Sequence, residues 1–223
     1  MPGRPTWRFE REAWKEGYRL VAGLDEAGRG CLAGPVVAAA VVLDPSRRLA
    51  GVDDSKRLTA RQRETLYGKI LSHARAWGVG VVEASEIDRT DILAATRQAM
   101  GQAVRALGPA PDFLLTDAVD LSGCGAPCRA LIGGDRLSLS IAAASILAKV
   151  TRDRRMEEAD GVFPGYGFAR HKGYGTAEHL EELRRRGPCA IHRKTFYGVS
   201  IWQPPLPFGG DGVAGVTEGP DAS

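Results

Sequence analysis

Seven consecutive small apolar residues, Val36-Val37-Ala38-Ala39-Ala40-Val41-Val42, limit what this chain can become more than any other stretch. A strand with one wet face alternates apolar and polar positions, and this run has no polar position to turn outward. It predicts a strand buried on both faces, inside a sheet that carries helices above and below. The 223 residues, 43% of them apolar, suffice for one main domain with an appendage.

The segment leading into that strand is Gly23-Leu24-Asp25-Glu26-Ala27-Gly28-Arg29-Gly30. Leu20, Val21, Ala22 and Leu24 make its first part a strand, and Gly34-Pro35 turns the chain into the second, so the two read as a hairpin within the sheet. Gly28 and Gly30 leave the backbone unshielded, so its N–H groups and the Arg29 guanidinium can approach a phosphate or a sugar closely. Asp25 and Glu26 beside this turn offer hard oxygen ligands suited to Mg²⁺ or Mn²⁺. Taken alone, the same stretch also reads as a strand ending in a solvated Asp-Glu hairpin.

Before this hairpin, residues 7–18 carry Phe9, Trp14 and Tyr18 among charges and predict a short amphipathic helix against the sheet. After it, residues 51–58 form a polar loop, and Thr59 with Gln62 makes a capping box that opens a helix to about 72. Ser55, Lys56 and Arg57 at the start of that helix are either solvated or a phosphate clamp. A strand at 76–83 follows, then a helix over 91–107, capped by Thr90 or Asp88 and stopped by Pro109 and Pro111.

Residues 113–116 predict a strand delivering Asp117, and residues 130–132, closed by Gly133-Gly134, a strand delivering Asp135. Residues 138–158 predict a long helix whose small side chains let it lie close on the sheet. Residues 163–175 form a basic, aromatic, glycine-rich loop. Thr176 caps a helix to Arg186, ended by Gly187-Pro188, and residues 192–196 make a second basic patch. His73 and His179 read as surface residues, and His171 and His192, in the basic loops, either as ordinary loop residues or as phosphate contacts.

Asp25, Glu26, Asp117 and Asp135 all fall at predicted strand ends or just beyond them, where ligands gather in mixed α/β sheets. Acids converging at one edge repel unless cations neutralise them. Two divalent ions about 3.5–4 Å apart activate a water and stabilise the departing oxygen in an in-line displacement at phosphorus. Adjacent residues of a regular strand face opposite ways, so Asp25 and Glu26 can share such a pair only if the strand bends or ends near Gly28. Asp120 competes with Asp117, and Asp153 with Asp135, although Asp153 between Arg152 and Arg154 reads as a structural ion pair. No Ser/His/Asp or Cys/His arrangement at a recognisable spacing competes with the acids.

A net charge of +3 and a pI near 8.7 exclude a polybasic arm, so any nucleic-acid contact has to come from locally concentrated Arg and Lys. No run approaches the ~20 apolar residues of a membrane span and no signal core follows Met1, so the expectation is a cytoplasmic protein with no membrane contact. Cys31, Cys124, Cys128 and Cys189 read as reduced thiols; Cys124 and Cys128 lack a second ligand pair at zinc spacing, though Cys189 and His192 come close.

In these residues the chain resembles the type 2 ribonucleases H (ribonuclease HII). The resemblance rests on Asp25-Glu26-Ala27-Gly28-Arg29-Gly30 with Leu32-Ala33-Gly34-Pro35-Val36-Val37-Ala38-Ala39, on Asp54-Ser55-Lys56-Arg57-Leu58, on residues 140–153 (SIAAASILAKVTRD), and on His171-Lys172-Gly173-Tyr174-Gly175-Thr176. Several motifs in the right order are far more specific than any one, and they span residues 9–199.

The resemblance implies an α/β ribonuclease H-like mixed sheet flanked by helices, with a small C-terminal helical appendage. Asp25, Glu26, Asp117 and Asp135 look like the family's four catalytic, metal-binding acids, working with Mg²⁺ or Mn²⁺. Gly28, Arg29 and Gly30 correspond to the turn that reads a ribonucleotide 2′-hydroxyl, and Tyr174 to the tyrosine packed on the sugar beside the cut. Ser55, Lys56 and nearby basic residues look like further substrate contacts. The implied activity is an endonuclease acting on RNA-DNA hybrids and 5′ of single ribonucleotides embedded in duplex DNA, leaving 3′-hydroxyl and 5′-phosphate ends, as in ribonucleotide excision repair. Cys31 stands where the family commonly has proline, and Phe196-Tyr197-Gly198-Val199 departs from its usual Phe-x-Pro-Val.

The expected organisation is a catalytic domain over 1–160, a helical and basic-loop appendage of the same domain over 161–202, and a flexible tail over 203–223, the whole a monomer. The tail holds five Gly and four Pro in 21 residues. Its Gln203, Leu206 and Phe208 resemble the short peptides that dock on sliding clamps. Type 3 ribonuclease H activity and a catalytically dead hybrid-binding module are the competing readings.

Overall fold

The computed structural model describes residues 4–47 and 49–202. Its elements in chain order are α1 (Arg8–Lys15), β1 (Val21–Ala27), β2 (Val36–Leu43), α2 (Ala60–His73), β3 (Ala74–Val82), α3 (Ala84–Arg89), α4 (Ile92–Arg105), β4 (Phe113–Asp117), β5 (Cys128–Leu131), α5 (Leu139–Val162), α6 (Phe168–His171), α7 (Ala177–Arg186) and α8 (Tyr197–Ser200). One sheet runs β3-β2-β1-β4-β5. The β1-β2 and β2-β3 pairs are antiparallel, and β4 lies parallel to both β1 and β5.

The uninterrupted apolar run forms β2, the second strand of the sheet, and all eight of its residues are buried. Because successive side chains face opposite ways, Val36, Ala38, Ala40 and Val42 meet Ala95, Ala99, Met100 and Ala103 of α4, while Ala39, Val41 and Leu43 meet α5 and α2 through Ala143, Ile146, Leu147, Leu66 and Ile70. Two apolar faces on one strand thus explain the two helical layers. The helices approach unusually close. A Cβ on Gly23 would strike the main chain of Ser140 and Ile141 in α5, and one on Gly80 would strike the Ala99 carbonyl in α4.

The expected fold class, including the β1-β2 hairpin, is borne out. Thr59 and Gln62 form the capping box, and Ser138 and Thr176 cap α5 and α7. Three details differ. Asp91 caps α4, accepting from the Leu93 and Ala94 N–H groups at 2.7 and 2.8 Å, whereas Asp88 turns to the C-terminal segment and accepts from Lys194 N and Thr195 N. The last strand spans Cys128–Leu131, and Ile132 is exposed because the chain leaves the sheet through Gly133 in the left-handed region. The short helix α3 has no counterpart in the sequence reading. No helix among the described residues is long and apolar enough to cross a membrane.

The basic loops beyond α5 fold around aromatic and histidine rings rather than around solvent. Tyr166, Phe168, His171, His179 and His192 are all buried, which corrects the surface reading of His179 and disfavours phosphate contact as the alternative for His171 and His192. Their partners dictate neutral rings. His179 Nδ1 faces the Tyr174 carbonyl at 2.8 Å and must carry the proton, so its Nε2 accepts from His192 Nε2 at 3.0 Å. His192 Nδ1 then accepts from the Cys189 N–H at 2.9 Å. The thiols of all four cysteines are free, and Cys124 and Cys128 pack beside the α4-side core.

Candidate active site

Parallel pairing brings the C-terminal ends of β1 and β4 to one edge. Leu24 is paired with Thr116, so Asp25 and Asp117 follow side by side. Beyond β5 the chain reverses through Gly133 into a 3-10 turn, Gly134–Arg136, whose Gly134 N–H donates to Asp117 Oδ1 at 2.8 Å and whose next residue is Asp135. As a result, carboxylate oxygens of Asp25, Asp117 and Asp135 lie within 4.8 Å of one another.

This crowding has an electrostatic signature. Burial, then the charges of Glu26 and Asp117, pushes the Asp25 carboxyl well above the usual range, and burial, then Asp54 and Asp117, raises that of Asp135. Asp25 and Asp135 are both buried, so they hold charge only where an opposing charge is supplied.

Glu26 is outside the three-acid cluster, but it lines the same cleft as Asp25 and feels the charge of Asp117. One oxygen, Oε1, accepts from Arg29 Nη1 at 3.0 Å, while Oε2 is buried without a partner among the described residues. Burial raises its carboxyl, with Arg29 working the other way. Three convergent carboxylates, a buried and unpartnered fourth oxygen, and no nitrogen or sulfur donor among them suit a hard divalent cation.

The adjoining cleft, about 220 Å³, is lined by Asp25, Glu26, Gly28, Arg29, Gly30, Ser55, Lys56, Ser145, Lys149 and Tyr174. The four acids and the six substrate-contact residues that the resemblance implies, Gly28, Arg29, Gly30, Ser55, Lys56 and Tyr174, therefore all belong either to this cleft or to the acid cluster on its wall. Ser55 accepts from Ser145 Oγ at 2.8 Å, and Lys56 Nζ lies 3.7 Å from Asp135 Oδ2. Tyr174 is 43% exposed, with Lys149 Nζ 5.6 Å from its ring centre.

Of the rival acids, Asp120 is exposed and holds Ser122, away from the cluster. Asp153 pairs with Lys149 at 2.7 Å rather than with its flanking arginines, since i,i+4 neighbours share a helix face and i,i+1 neighbours do not. The sequence alone does not point to Asp54, Ser145 or Lys149 as part of the site. Asp54, buried beside Asp135, accepts from the Lys56 N–H at 2.9 Å, and Lys149 lies in the cleft. Asp54 belongs to the Asp54-Ser55-Lys56-Arg57-Leu58 motif, but in the sequence it reads only as part of a polar loop.

Residues 22–199 match the family model described as Ribonuclease HII. A ribonuclease HII from Geobacter metallireducens is 55% identical over 196 residues, covering 88% of this chain and 92% of that one. The chain belongs to the ribonuclease HII family. Among solved structures, ribonuclease H2 from Pyrococcus horikoshii OT3 superposes with a TM-score of 0.70 at 30% identity, covering 82% of this chain and 96% of its own. RNase HII in a PCNA:RNase HII complex from Archaeoglobus fulgidus gives 0.70 at 27% identity, covering 84% and 98%. The resemblance read from the motifs is thereby borne out, and the enzyme is a type 2 ribonuclease H. The segment matched to ribonuclease HII runs from β1 into α8, and so includes the acids, the Gly28-Arg29-Gly30 turn and Tyr174.

Proposed function

We propose that the enzyme cuts both RNA in RNA-DNA hybrids and the phosphodiester on the 5′ side of a single ribonucleotide embedded in duplex DNA, using a pair of Mg²⁺ or Mn²⁺ ions. The observation that carries this reading is the meeting of three carboxylates within 4.8 Å on the wall of a cleft that also holds an open glycine turn. Asp25, Asp117, Asp135 and the unpartnered Oε2 of Glu26 would hold the ions. Bound there, the cations would supply an activated water and neutralise charge growing on the leaving oxygen.

The remaining work falls to the chain. Gly28 and Gly30 put backbone within reach of a 2′-hydroxyl, the one group that separates a ribonucleotide from its neighbours in DNA. Tyr174, half-exposed at the cleft, offers its ring to the adjoining sugar. Lys56, Ser55 and Arg29 would contact the phosphate backbone. The phosphate stays with the ribonucleotide as a 5′-phosphate, and the preceding nucleotide leaves with its 3′-hydroxyl.

The test compares a duplex holding one ribonucleotide with a continuous hybrid and with all-DNA, each in Mg²⁺ and in Mn²⁺, for the wild type and Asp117→Asn. Cleavage of the first two by the wild type, 5′ of the ribonucleotide, with loss in the variant, is the expected outcome. Failure on the single-ribonucleotide duplex, or full activity of Asp117→Asn, overturns the reading.

We further read Gln203, Leu206 and Phe208, which lie outside the described residues, as a sliding-clamp peptide. The PCNA:RNase HII complex of Archaeoglobus fulgidus supports a clamp as partner for a protein of this fold. Retention on an immobilised clamp that is unchanged by deleting residues 203–223 removes this part of the proposal.

A further inference from the structure

Among the described residues, two arginines with no carboxylate hydrogen-bond partner lie behind the Gly28-Arg29-Gly30 turn. Arg152 of α5 and Arg193 of the segment between α7 and α8 are fully buried, and their hydrogen bonds run to main-chain carbonyls alone. Arg152 donates to Pro35 O at 3.0 Å, Lys172 O at 2.9 Å and Ala33 O at 3.1 Å. Arg193 donates from Nε to Gly34 O at 3.0 Å and from Nη1 to Arg29 O at 2.9 Å, and its Nη2 is buried with no partner among the described residues. Burying a guanidinium without a counter-charge is costly. Burial draws the Arg193 pKa down to about 10, which still leaves it charged at neutral pH.

What this arrangement does follows from peptide geometry. In a trans peptide the carbonyl and the next N–H point in opposite directions. Tying Arg29 O inward to Arg193 therefore turns Gly30 N–H away from the protein, and Gly30 N–H has no protein partner among the described residues. Gly30 lines the cleft.

Arg193 is itself held from both sides. Its N–H donates to Leu32 O at 2.8 Å, and Gly34 N donates to Ile191 O at 2.8 Å, pairing the segment with the exit of the turn. On the other side, Asp88 of α3 accepts from Lys194 N at 2.8 Å, Thr195 N at 3.0 Å and Thr195 Oγ1 at 2.7 Å.

We propose that Arg193 is a positioning residue for substrate: clamped through Asp88, it holds the Arg29 and Gly34 carbonyls inward so that Gly30 N–H stays presented to the cleft, and its charge adds to the field that draws the substrate backbone there. This rests on the reading that the turn touches the substrate. It assigns the C-terminal segment a part in recognition although none of its residues lines the cleft.

The experiment uses the full chain with Arg193→Lys, Arg193→Met and Asp88→Asn, measuring kcat and KM on the continuous hybrid and on the single-ribonucleotide duplex, with Mn²⁺ affinity by calorimetry. Arg193→Lys keeps a buried cation but cannot span both carbonyls, so KM should rise about tenfold with kcat within about threefold of wild type and Mn²⁺ affinity within about twofold. Asp88→Asn should raise KM by a smaller factor and add little to Arg193→Lys when combined with it. A folded Arg193→Lys with wild-type KM on both substrates overturns the proposal, as does a fall in kcat that tracks lost Mn²⁺ affinity. Should Arg193→Met fail to fold, Arg193→Lys decides. A wild type that cuts the hybrid but not the single-ribonucleotide duplex sinks the broader substrate reading, while KM on the hybrid still decides the role of Arg193.

Discussion

Lys56 Nζ lies 3.7 Å from Asp135 Oδ2, an exposed cation resting against one of three clustered acids. Burial opposes its charge, but Asp135, Asp54, Asp25 and Asp117 outweigh that and raise its pKa. A pair with one side chain this exposed contributes little to folding. Lys56→Ala is therefore expected to change stability by less than ~0.5 kcal/mol while raising KM. If Lys56 meets a phosphate, the slope of log(kcat/KM) against log salt becomes shallower by roughly 1, and a salt series on the hybrid checks it.

Asp25 shows the opposite balance. It is buried, and its neighbours Glu26 and Asp117 carry the same charge, so without a cation the ionised side chain strains the fold. Asp25→Asn should raise the melting temperature in EDTA and lower cleavage by roughly two or more orders of magnitude. A variant less stable than wild type in EDTA shows that the hydrogen bond from Glu26 N to Asp25 Oδ1, 2.7 Å, outweighs the repulsion.

How far the chain could be read without coordinates follows the range of the interactions involved. Thr59 and Gln62 cap a helix three residues apart, and the run over 36–42 fills both faces of its own strand, so local rules found both. Asp25, Asp117 and Asp135 were legible because each sits where an apolar run stops, although only the parallel β1-β4 pairing brings the first two side by side. Asp88, His179 and Arg193 take places that the sequence does not announce, for one shared reason. Each sits among charges in sequence, and each is claimed by a partner far along the chain: Thr195 for Asp88, His192 for His179 and Arg29 for Arg193. No periodicity carries that information. The same holds for Asp54, whose nearness to Asp135 depends on how α5 and the loop before α2 pack.

Glycines give a paired test of the packing. A methyl on Gly23 meets the Ser140 and Ile141 main chain, which cannot move without shifting α5 off the sheet. Gly68, exposed in the middle of α2, has nothing within 4 Å of that position. Gly23→Ala is expected to destabilise by ~3 kcal/mol or more, and Gly68→Ala to stabilise by about 0.5–1 kcal/mol through helix propensity. Urea unfolding of the two variants beside wild type decides both.

The buried histidines predict how the C-terminal part responds to acid. Burial, then His179, lowers the His192 pKa to about 4 from an ordinary 6.5, and burial lowers that of His179. A base whose folded pKa is depressed takes up its proton more readily when unfolded. Its contribution to stability is therefore complete above about 6.5 and is lost as pH falls from there towards about 4. The raised carboxyls of Asp25, Glu26 and Asp135 work in the opposite sense, so the histidine has to be isolated by difference. The stability gap between wild type and His192→Asn, from urea unfolding at a series of pH values, should be constant above about 6.5 and shrink by on the order of 2–3 kcal/mol on the way to pH 4. Protonation cannot be accommodated in place, because His192 Nδ1 faces the Cys189 N–H, a donor that a second imidazole proton would oppose. A gap that stays constant down to pH 4 means that His192 is already charged in the fold, and the chain of neutral rings from Cys189 to the Tyr174 carbonyl then falls with it.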